Sequence, residues 1–338
     1  MFNMQQWPAA TVAEATKALE RLQLKAHDQE NHDNLKKQIE EFFSELFKCP
    51  VILFPSGRSA MSQLLRLSGM NRNHTVFITK YSSHCLFTSF GSFMNISTDY
   101  VKPDCVLVNH KWGFTNIENR TNSSSVLLIE DSCDSLFVDN KGLFPNSEAA
   151  AMISLPKVIG SFSGAILILN PKHNMDPEKM QQLRDLTLRN HDLGLWQSKS
   201  KLKGLIGREY SDYSTWMFYE SINSYISEIE LEDIQSKLIK WKQNLLLIKE
   251  RQEILSVFPN LLMPNRNRFG PVVLLKKEDG KILSDFFEKN LIIRHFDVTQ
   301  MNDLMANFGE YFVFPIHGGV TQEEFKALSN YIERISIF

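Results

Sequence analysis

The chain has 338 residues, of which 43% are hydrophobic and 22% charged, and its formal net charge is −2. This length and apolar content suffice for the core of an enzyme-sized globular protein. Acidic and basic residues are interspersed, so no basic field exists that would attract nucleic acid or an anionic membrane, and we expect neither as a partner. Residues 1–20 contain no basic stretch followed by an apolar run, and no apolar stretch is long enough to span a bilayer, which predicts a cytoplasmic protein.

The first half of the chain predicts two helices followed by an α/β core. Between residues 11 and 47, apolar residues recur at helical spacing among charges, as in two amphipathic helices. Short apolar runs follow at 49–54, 76–80, 105–110, 126–131, 150–155 and 164–170, alternating with polar or helical stretches. Because these runs contain few polar residues, they predict a mostly parallel sheet that is covered by helices on both faces.

The second half predicts a helical region and then a smaller domain. Residues 175–255 have a mainly helical pattern, including a long helix that links two domains. Short strands and helices follow, at 270–275, 280–290, 291–296 and 311–316, and the last helix begins near Thr321, with Glu324 completing a capping box. We therefore predict a large domain over 1–240 and a small C-terminal α+β domain over 241–338.

The turn Ser56-Gly57-Arg58-Ser59 is the first candidate site. It lies between a predicted strand and a predicted helix. The backbone N–H groups and the dipole at a helix N-terminus favour an anion, and a phosphate group fits such a turn. By itself the turn is a weak signal for a phosphate site, because Ser-Gly-x-Ser turns that only cap a helix are common.

The acidic pair Glu130-Asp131 is the second candidate. It ends the apolar run 126–129, and a carboxylate at the edge of a buried strand must be paired or solvated. Asp131 could pair with a protonated ring nitrogen. The alternatives are a helix N-cap and an ordinary surface acid.

Lys157 is the third candidate. It follows an apolar run and Ser154, and it precedes a turn of small residues at 160–164. Desolvation in such a place lowers the pKa of a lysine and makes its amine a nucleophile toward an aldehyde. Most lysines are solvated surface residues, so Lys157 is a candidate only when it is considered together with the other two sites. A phosphate turn, a strand-end acid and a lysine, in this order, are the groups that a pyridoxal phosphate enzyme needs.

Six segments resemble motifs of the DegT family of sugar aminotransferases and together cover almost the whole chain. They are 39–65 (family motif SSGTxAL), 106–117 (HxxG), 126–137 (IEDxAQxxG), 153–170 (the lysine segment), 223–238 (the interdomain helix) and 311–332 (LPxHxGLTxEE). The resemblance implies an aspartate aminotransferase-like fold, in which a three-layer large domain has a mostly parallel central sheet and a smaller C-terminal domain is α+β.

The resemblance also implies roles for individual residues. Lys157 would hold pyridoxal 5'-phosphate as a Schiff base and act as general acid and base, and Asp131 would keep the pyridine nitrogen protonated. The cofactor phosphate would be bound by the residues of the turn and by a serine three positions before the lysine, namely Gly57, Arg58, Ser59 and Ser154. Asn223 matches the asparagine that reaches the phosphate from a neighbouring subunit, which implies a homodimer with shared active sites.

Several positions depart from the family pattern. Arg58 stands where threonine is common, and Asp134 stands where glutamine or histidine meets the cofactor hydroxyl. Ser83 occupies the register of the ring-stacking aromatic residue, with His84 as the nearest planar side chain, and Val158 replaces the asparagine after the lysine. These changes are consistent with a different substrate, altered chemistry or a weakened enzyme.

The function that the resemblance implies is amino transfer, with glutamate as donor and a nucleotide-linked keto sugar as acceptor, in the synthesis of surface polysaccharides or of secondary-metabolite sugars. The retained lysine favours transamination over the dehydratase branch of the family, in which histidine replaces it. Two alternatives remain: a pyridoxal phosphate enzyme that acts on a non-sugar ketone or by elimination, and a catalytically silent homologue that serves as a binding protein. Four scattered cysteines without a CxxC pair, and histidines at 110, 295 and 317 without ligand spacing, predict no metal site.

Overall fold

The computed structural model describes residues 2–4, 8, 10–24, 28–79, 82–115, 126–173, 176–188, 190–207, 219–258, 261–264, 267–276, 291–293 and 311–336. The strands are β1 (Phe2–Met4), β2 (Val51–Phe54), β3 (Thr75–Ile78), β4 (Asn95–Ser97), β5 (Cys105–Asn109), β6 (Leu127–Asp131), β7 (Ala150–Ser154), β8 (Ala165–Leu169), β9 (Leu261–Leu262), β10 (Val272–Lys276), β11 (Leu291–Ile293) and β12 (Tyr311–Pro315). The helices are α1 (Val12–Leu24), α2 (Gln29–Phe47), α3 (Gly57–Leu67), α4 (His84–Gly91), α5 (Leu155–Ile159), α6 (Pro177–Leu186), α7 (His191–Leu205), α8 (Glu228–Lys237), α9 (Ile239–Leu255) and α10 (Gln322–Ser336). Short 3-10 turns cover Lys111–Gly113, Asn140–Gly142 and Pro171–His173. Within the described ranges, no helix has the length and apolar character needed to cross a membrane.

The central sheet has seven strands in the order β2-β8-β7-β6-β5-β3-β4. Strand β8 runs antiparallel to both of its neighbours, and all other pairs are parallel. The predicted mostly parallel sheet is therefore confirmed. Each apolar run of the first half forms one strand; the three-residue edge strand β4 was not predicted, because its sequence Asn-Ile-Ser has no apolar run.

Apolar side chains cover both faces of this sheet. On β2, Val51 and Leu53 belong to a cluster that contains Phe43 of α2 and Trp241 of α9. The alternate residues of the same strand, Ile52 and Phe54, belong to a second cluster with the apolar face of α3. Alternation of side chains along a strand sends neighbours to opposite faces, so these runs are continuously apolar because both faces are buried. The result is the predicted three-layer arrangement.

The C-terminal elements form smaller units. Strands β9, β10 and β12 make an antiparallel sheet, whereas β11 pairs in parallel with β1 at the chain start, a contact that the sequence did not predict. The capping box of α10 is confirmed, because Thr321 N donates to Glu324 Oε2 at 2.7 Å and Glu324 N donates to Thr321 Oγ1 at 3.2 Å. Residues 280–290 lie outside the described residues.

The described residues between 176 and 255 are mainly helical, as predicted, but the last part of this region consists of two helices, α8 and α9, separated at Leu238. One buried apolar cluster contains both Leu35 of α2 and Leu328 of α10. The apolar core is thus shared by the two predicted domains, and the boundary at residue 240 stays a prediction.

Gly270 lies against the backbone of the turn that follows β5. A Cβ atom at this position would be 1.6 Å from the carbonyl oxygen of Trp112. We expect Gly270→Ala to destabilise the protein by about 1–3 kcal/mol or more, because two backbone segments would have to move apart. Urea unfolding measures this cost. Gly91→Ala is the matched control, since its added Cβ would meet only Ile96 Cδ1 at an ordinary 3.5 Å; an equal loss in both variants would contradict the steric argument.

Candidate active site

The candidate residues lie after the carboxyl ends of neighbouring strands. The turn at 56–59 follows β2, Ser83 follows β3, Asp131 and Asp134 lie at the end of β6, and Lys157 follows β7. These strands are parallel to one another, so their carboxyl ends meet at a single edge of the sheet. This edge is where open α/β sheets bind ligands. The structure therefore places the three sequence-predicted candidate sites along the same edge.

Lys157 lies in the short helix α5, between Ser154 and the left-handed residue Gly160. Its Nζ is 2.9 Å from Cys133 Sγ. Burial alone would lower the pKa of Lys157, as the sequence predicts, but Cys133 and the acids Asp134 and Asp131 outweigh it and raise the pKa. The predicted direction of the shift is therefore wrong, because these neighbouring groups favour the ammonium form. Burial also raises the pKa of the Cys133 thiol, which keeps the sulfur neutral at physiological pH.

Asp131 is almost fully buried, with 3% of its surface exposed. Its Oδ2 accepts a hydrogen bond from Asn109 Nδ2 at 2.9 Å, and its Oδ1 accepts one from Cys133 N at 3.1 Å. Burial raises the pKa of Asp131, although the ammonium of Lys157 acts in the opposite direction. The carboxylate is therefore held in one orientation and would gain from a cationic partner.

The turn after β2 has the geometry of a capped helix. Ser56 is the N-cap of α3, and its Oγ accepts a hydrogen bond from Ser59 N at 3.2 Å. Arg58 Nε donates to Glu220 Oε2 at 2.6 Å, and its guanidinium also interacts with Cys85. The sequence did not predict which group the Arg58 side chain contacts. In the structure it pairs with the buried carboxylate of Glu220, 162 residues further along the chain.

Asn223 lies beside the same turn of its own chain. Its backbone oxygen accepts a hydrogen bond from Ser59 Oγ. The side-chain amide is used locally, because Oδ1 accepts from Tyr225 N at 3.0 Å and Nδ2 donates to Tyr225 O at 3.1 Å. The contacts seen are thus all within one chain, and a role of Asn223 in a neighbouring subunit stays a prediction.

The other departures from the family pattern have distinct environments. Ser83 is the exposed N-cap position of α4 and its Oγ lies 3.0 Å from Cys85 Sγ, and His84 is the first residue of that helix. Val158 is buried, and its backbone oxygen accepts a hydrogen bond from Asn244 Nδ2 at 2.7 Å. Ser154 makes no side-chain cap to α5.

Asp134 is buried beside a lysine that the sequence did not single out. Its Oδ1 accepts a hydrogen bond from Trp112 N at 2.9 Å, and its Oδ2 is 3.9 Å from Lys111 Nζ. Trp112 has a φ of 55°, which a non-glycine residue adopts only when its surroundings hold it there. Asp134 therefore fixes the turn after β5, and Lys111 partly balances its charge. The sequence feature that could have identified Lys111 is its position within the segment that resembles the HxxG motif.

His110, Glu130 and Glu148 form a buried polar cluster. His110 Nε2 is 3.6 Å from Glu148 Oε1 and 4.0 Å from Glu130 Oε1. Among the described residues, these three have spacing that could hold a metal ion. Arg268, however, already pairs with Glu130 at 2.5 Å, and a guanidinium charge repels a cation at that distance. We interpret the cluster as a buried ion-pair network; His295 lies outside the described residues.

Comparison with known proteins agrees with this geometry. A family model described as "Putative PLP-dependent aminotransferase" matches residues 39–335. The chain belongs to this family. Its cofactor is therefore pyridoxal 5'-phosphate (PLP), and amino transfer is its reaction class. A search of curated proteins finds no match.

Solved structures show the same fold at low identity. AtS13 from Actinomadura melliaura has a TM-score of 0.63 and 13% identity, over 99% of each chain. The sugar aminotransferase CalS13 from Micromonospora echinospora has a TM-score of 0.61 and 12% identity, over 98% of this chain and 99% of its own. A DegT DnrJ EryC1 StrS aminotransferase from Brucella abortus has a TM-score of 0.59 and 12% identity, over 96% of this chain and 95% of its own. The resemblance to the DegT family is thus confirmed at the level of the fold.

The groups at the sheet edge fit this cofactor. A helix N-terminus with an adjacent arginine suits a phosphate dianion, a buried carboxylate suits a protonated ring nitrogen, and a lysine amine suits an aldehyde. The aminotransferase has all three at one edge, in the turn at 56–59, Asp131 and Lys157. Glu220 opposes the binding of an anion at this turn, because its carboxylate already pairs with the Arg58 guanidinium.

We expect Glu220→Gln to bind PLP more tightly than the wild type. Removing a buried anion that competes for Arg58 should increase the affinity by about five- to tenfold, equivalent to about 1 kcal/mol for one charge pair. Equilibrium dialysis of the apo-protein against PLP measures the change. Glu232→Gln is the control, since Glu232 pairs with Arg21 on the surface. Weaker binding by the Glu220 variant would show that this carboxylate orients Arg58 and does not compete for it.

Proposed function

We propose that this aminotransferase transfers an amino group from glutamate to a keto sugar that is linked to a nucleotide. The observation that supports it is the placement of Lys157, Asp131 and the turn at 56–59 along one sheet edge. The sugar acceptor is supported by fold neighbours named as sugar aminotransferases, such as CalS13. Synthesis of a surface polysaccharide in the cytoplasm is the setting that this chemistry suggests.

The residues at the sheet edge have separate proposed roles toward the cofactor. When bound, PLP supplies the aldehyde that anchors it to a lysine and the electron sink for the reaction. Lys157 would hold the cofactor and move a proton to and from Nζ, Asp131 would accept a hydrogen bond from the ring N–H, and the turn at 56–59 with Ser154 would bind the phosphate. Proton transfer requires a neutral amine at Nζ. A cationic partner on Asp131 offsets one of the charges that raise the pKa of Lys157.

Other parts of the proposal are supported by the motif resemblance. Segment 223–238 resembles the interdomain helix whose asparagine reaches a neighbouring active site, and we therefore propose a homodimer. Ser83 and His84 would lie beside the cofactor ring, and Asp134 near its hydroxyl group. The carboxylate of Asp134 and the absence of an aromatic residue at position 83 favour an acceptor or a ring environment unlike that of most relatives. These two features keep a non-sugar ketone or an elimination reaction as the second candidate function.

Two half-reactions test the proposal. Glutamate added to the PLP-loaded protein should convert the aldehyde form of the cofactor to its amine form, which is followed by absorbance and by release of 2-oxoglutarate. The amine form is then mixed with a panel of nucleotide-linked keto sugars and, separately, with simple keto acids. Turnover with only the keto acids would reject the sugar acceptor, and release of ammonia would indicate elimination. A folded protein that binds no PLP would support the silent-homologue alternative.

A further inference from the structure

We propose that Asn109 is a positioning residue that holds the carboxylate of Asp131 ionised and correctly oriented for the ring nitrogen of PLP. The inference rests on the role proposed above for Asp131. It assigns a function to a side chain that none of the sequence motifs singled out.

The two residues are partners in the sheet register. Asn109 ends β5 and Asp131 ends β6, and they lie opposite each other on adjacent parallel strands. Asn109 Nδ2 donates to Asp131 Oδ2 at 2.9 Å, while Cys133 N donates to Oδ1 at 3.1 Å. Each carboxylate oxygen therefore receives one hydrogen bond from a neutral donor, which orients the carboxylate without cancelling its charge.

The hydrogen bond to Asp131 is the interaction that explains the buried side-chain amide of Asn109. Asn109 is 5% exposed, and its Oδ1 has no hydrogen-bond partner among the described residues. An unpartnered amide oxygen costs free energy, and the preceding strand residues Val106 and Val108 are apolar and buried. The opposite amide orientation would place two oxygens face to face. Donation to Asp131 is thus the interaction that offsets the cost of burying the amide.

The charges around Asp131 explain why this donor matters. Lys157 from α5 and Lys111 from the turn after β5 favour the ionised carboxylate, whereas burial and the nearby Asp134 raise its pKa, with Cys133 alongside as a neutral thiol. A protonated Asp131 could not keep a ring nitrogen cationic. A hydrogen bond to the charged form is worth about 1.5–3 kcal/mol, which corresponds to about 10- to 100-fold in affinity.

A double-mutant cycle on cofactor binding tests the inference. The dissociation constant of PLP is measured by equilibrium dialysis for the wild type, Asn109→Leu, Asp131→Asn and the double variant, over a series of pH values. Asn109→Leu, which keeps the number and branching of the side-chain heavy atoms, should weaken binding about 10- to 100-fold in the wild-type background and less than about twofold in the Asp131→Asn background. It should also shift the acidic limb of the affinity profile to higher pH.

Controls separate the possible failures. Asn170→Leu removes a buried amide that donates to Glu148 O at 2.8 Å near the opposite edge of the sheet, and it should leave PLP affinity unchanged. Thermal unfolding monitors folding, and Asn109→Ala replaces Asn109→Leu if the latter does not fold. Unchanged affinity in the Asn109 variant, or an equal loss in both backgrounds, would overturn the inference. Unchanged affinity in Asp131→Asn would instead reject the proposed role of Asp131, and with it the basis of the inference.

Discussion

Replacing Lys157 with alanine is expected to abolish covalent attachment of PLP and to slow amino transfer by at least about 10²–10⁴-fold, the range that a positioned proton-transfer group contributes. The physical reason is that the described residues place the Lys157 amine next to Asp131 and Asp134 at the sheet edge. Cys133, which contacts the Lys157 amine, cannot take over both its nucleophilic and its proton-transfer roles, because burial raises the pKa of its thiol and keeps the sulfur neutral.

The measurement is borohydride reduction of the PLP-loaded protein followed by mass spectrometry of the labelled peptide. Lys111→Met is the matched control, since Lys111 is a second lysine at the same edge, near Asp134. The label should remain on Lys157 in that variant and disappear in Lys157→Ala. Labelling of Lys111 in the wild type would contradict the assignment of the cofactor lysine.

Arg268→Met is expected to destabilise the fold by about 3–5 kcal/mol, the usual cost of removing one partner from a buried ion pair. Arg268 is 1% exposed and Glu130 is completely buried. The guanidinium lies 2.5 Å from Glu130 Oε1 and also donates to Ser132 Oγ at 2.6 Å and Gly142 O at 2.7 Å. Without it, the Glu130 charge would remain buried with only neutral hydrogen-bond donors and His110 close by.

Urea unfolding of two variant pairs checks this expectation. Adding Glu130→Gln to Arg268→Met should recover part of the lost stability, because the second change removes the uncompensated charge. Arg21→Met serves as the control, since the Arg21–Glu232 pair has the same 2.5 Å separation but a side chain that is 47% exposed. The surface change should cost about 0–1 kcal/mol. A similar cost at both arginines would show that Arg268 contributes through packing and not through its charge.

The sequence was informative where a local pattern had one structural solution. The apolar runs that became β2, β6 and β7 lack polar alternation, and only a strand buried on both faces explains that composition in an α/β chain. Lys157 and Asp131 were found because a charge directly after such a run has to lie at the sheet edge. The capping box of Thr321 and Glu324 was equally local, since both partners lie within one helical turn.

Residues whose partners are distant in sequence could not be assigned in the same way. The carboxylate that pairs with Arg58 comes from Glu220, and Arg268 reaches Glu130 across 138 residues. Asn109 ends an apolar run as many asparagines do, and its meaning depends on the register that places it opposite Asp131. The pairing of β11 with β1 joins residues 291–293 to residues 2–4, and neither three-residue segment carries a signal for this pairing.

The sequence by itself therefore determined the fold class, the candidate residues that follow the strands, and the enzyme family whose motifs these residues match. All three depend on patterns within short segments. Only the tertiary structure decided the direction in which the pKa of Lys157 is shifted, which is upward. Burial can be predicted from an apolar run, but the groups that outweigh it, Cys133, Asp134 and Asp131, act through space. Electrostatic free energy depends on distances between groups, and those distances exist only after folding.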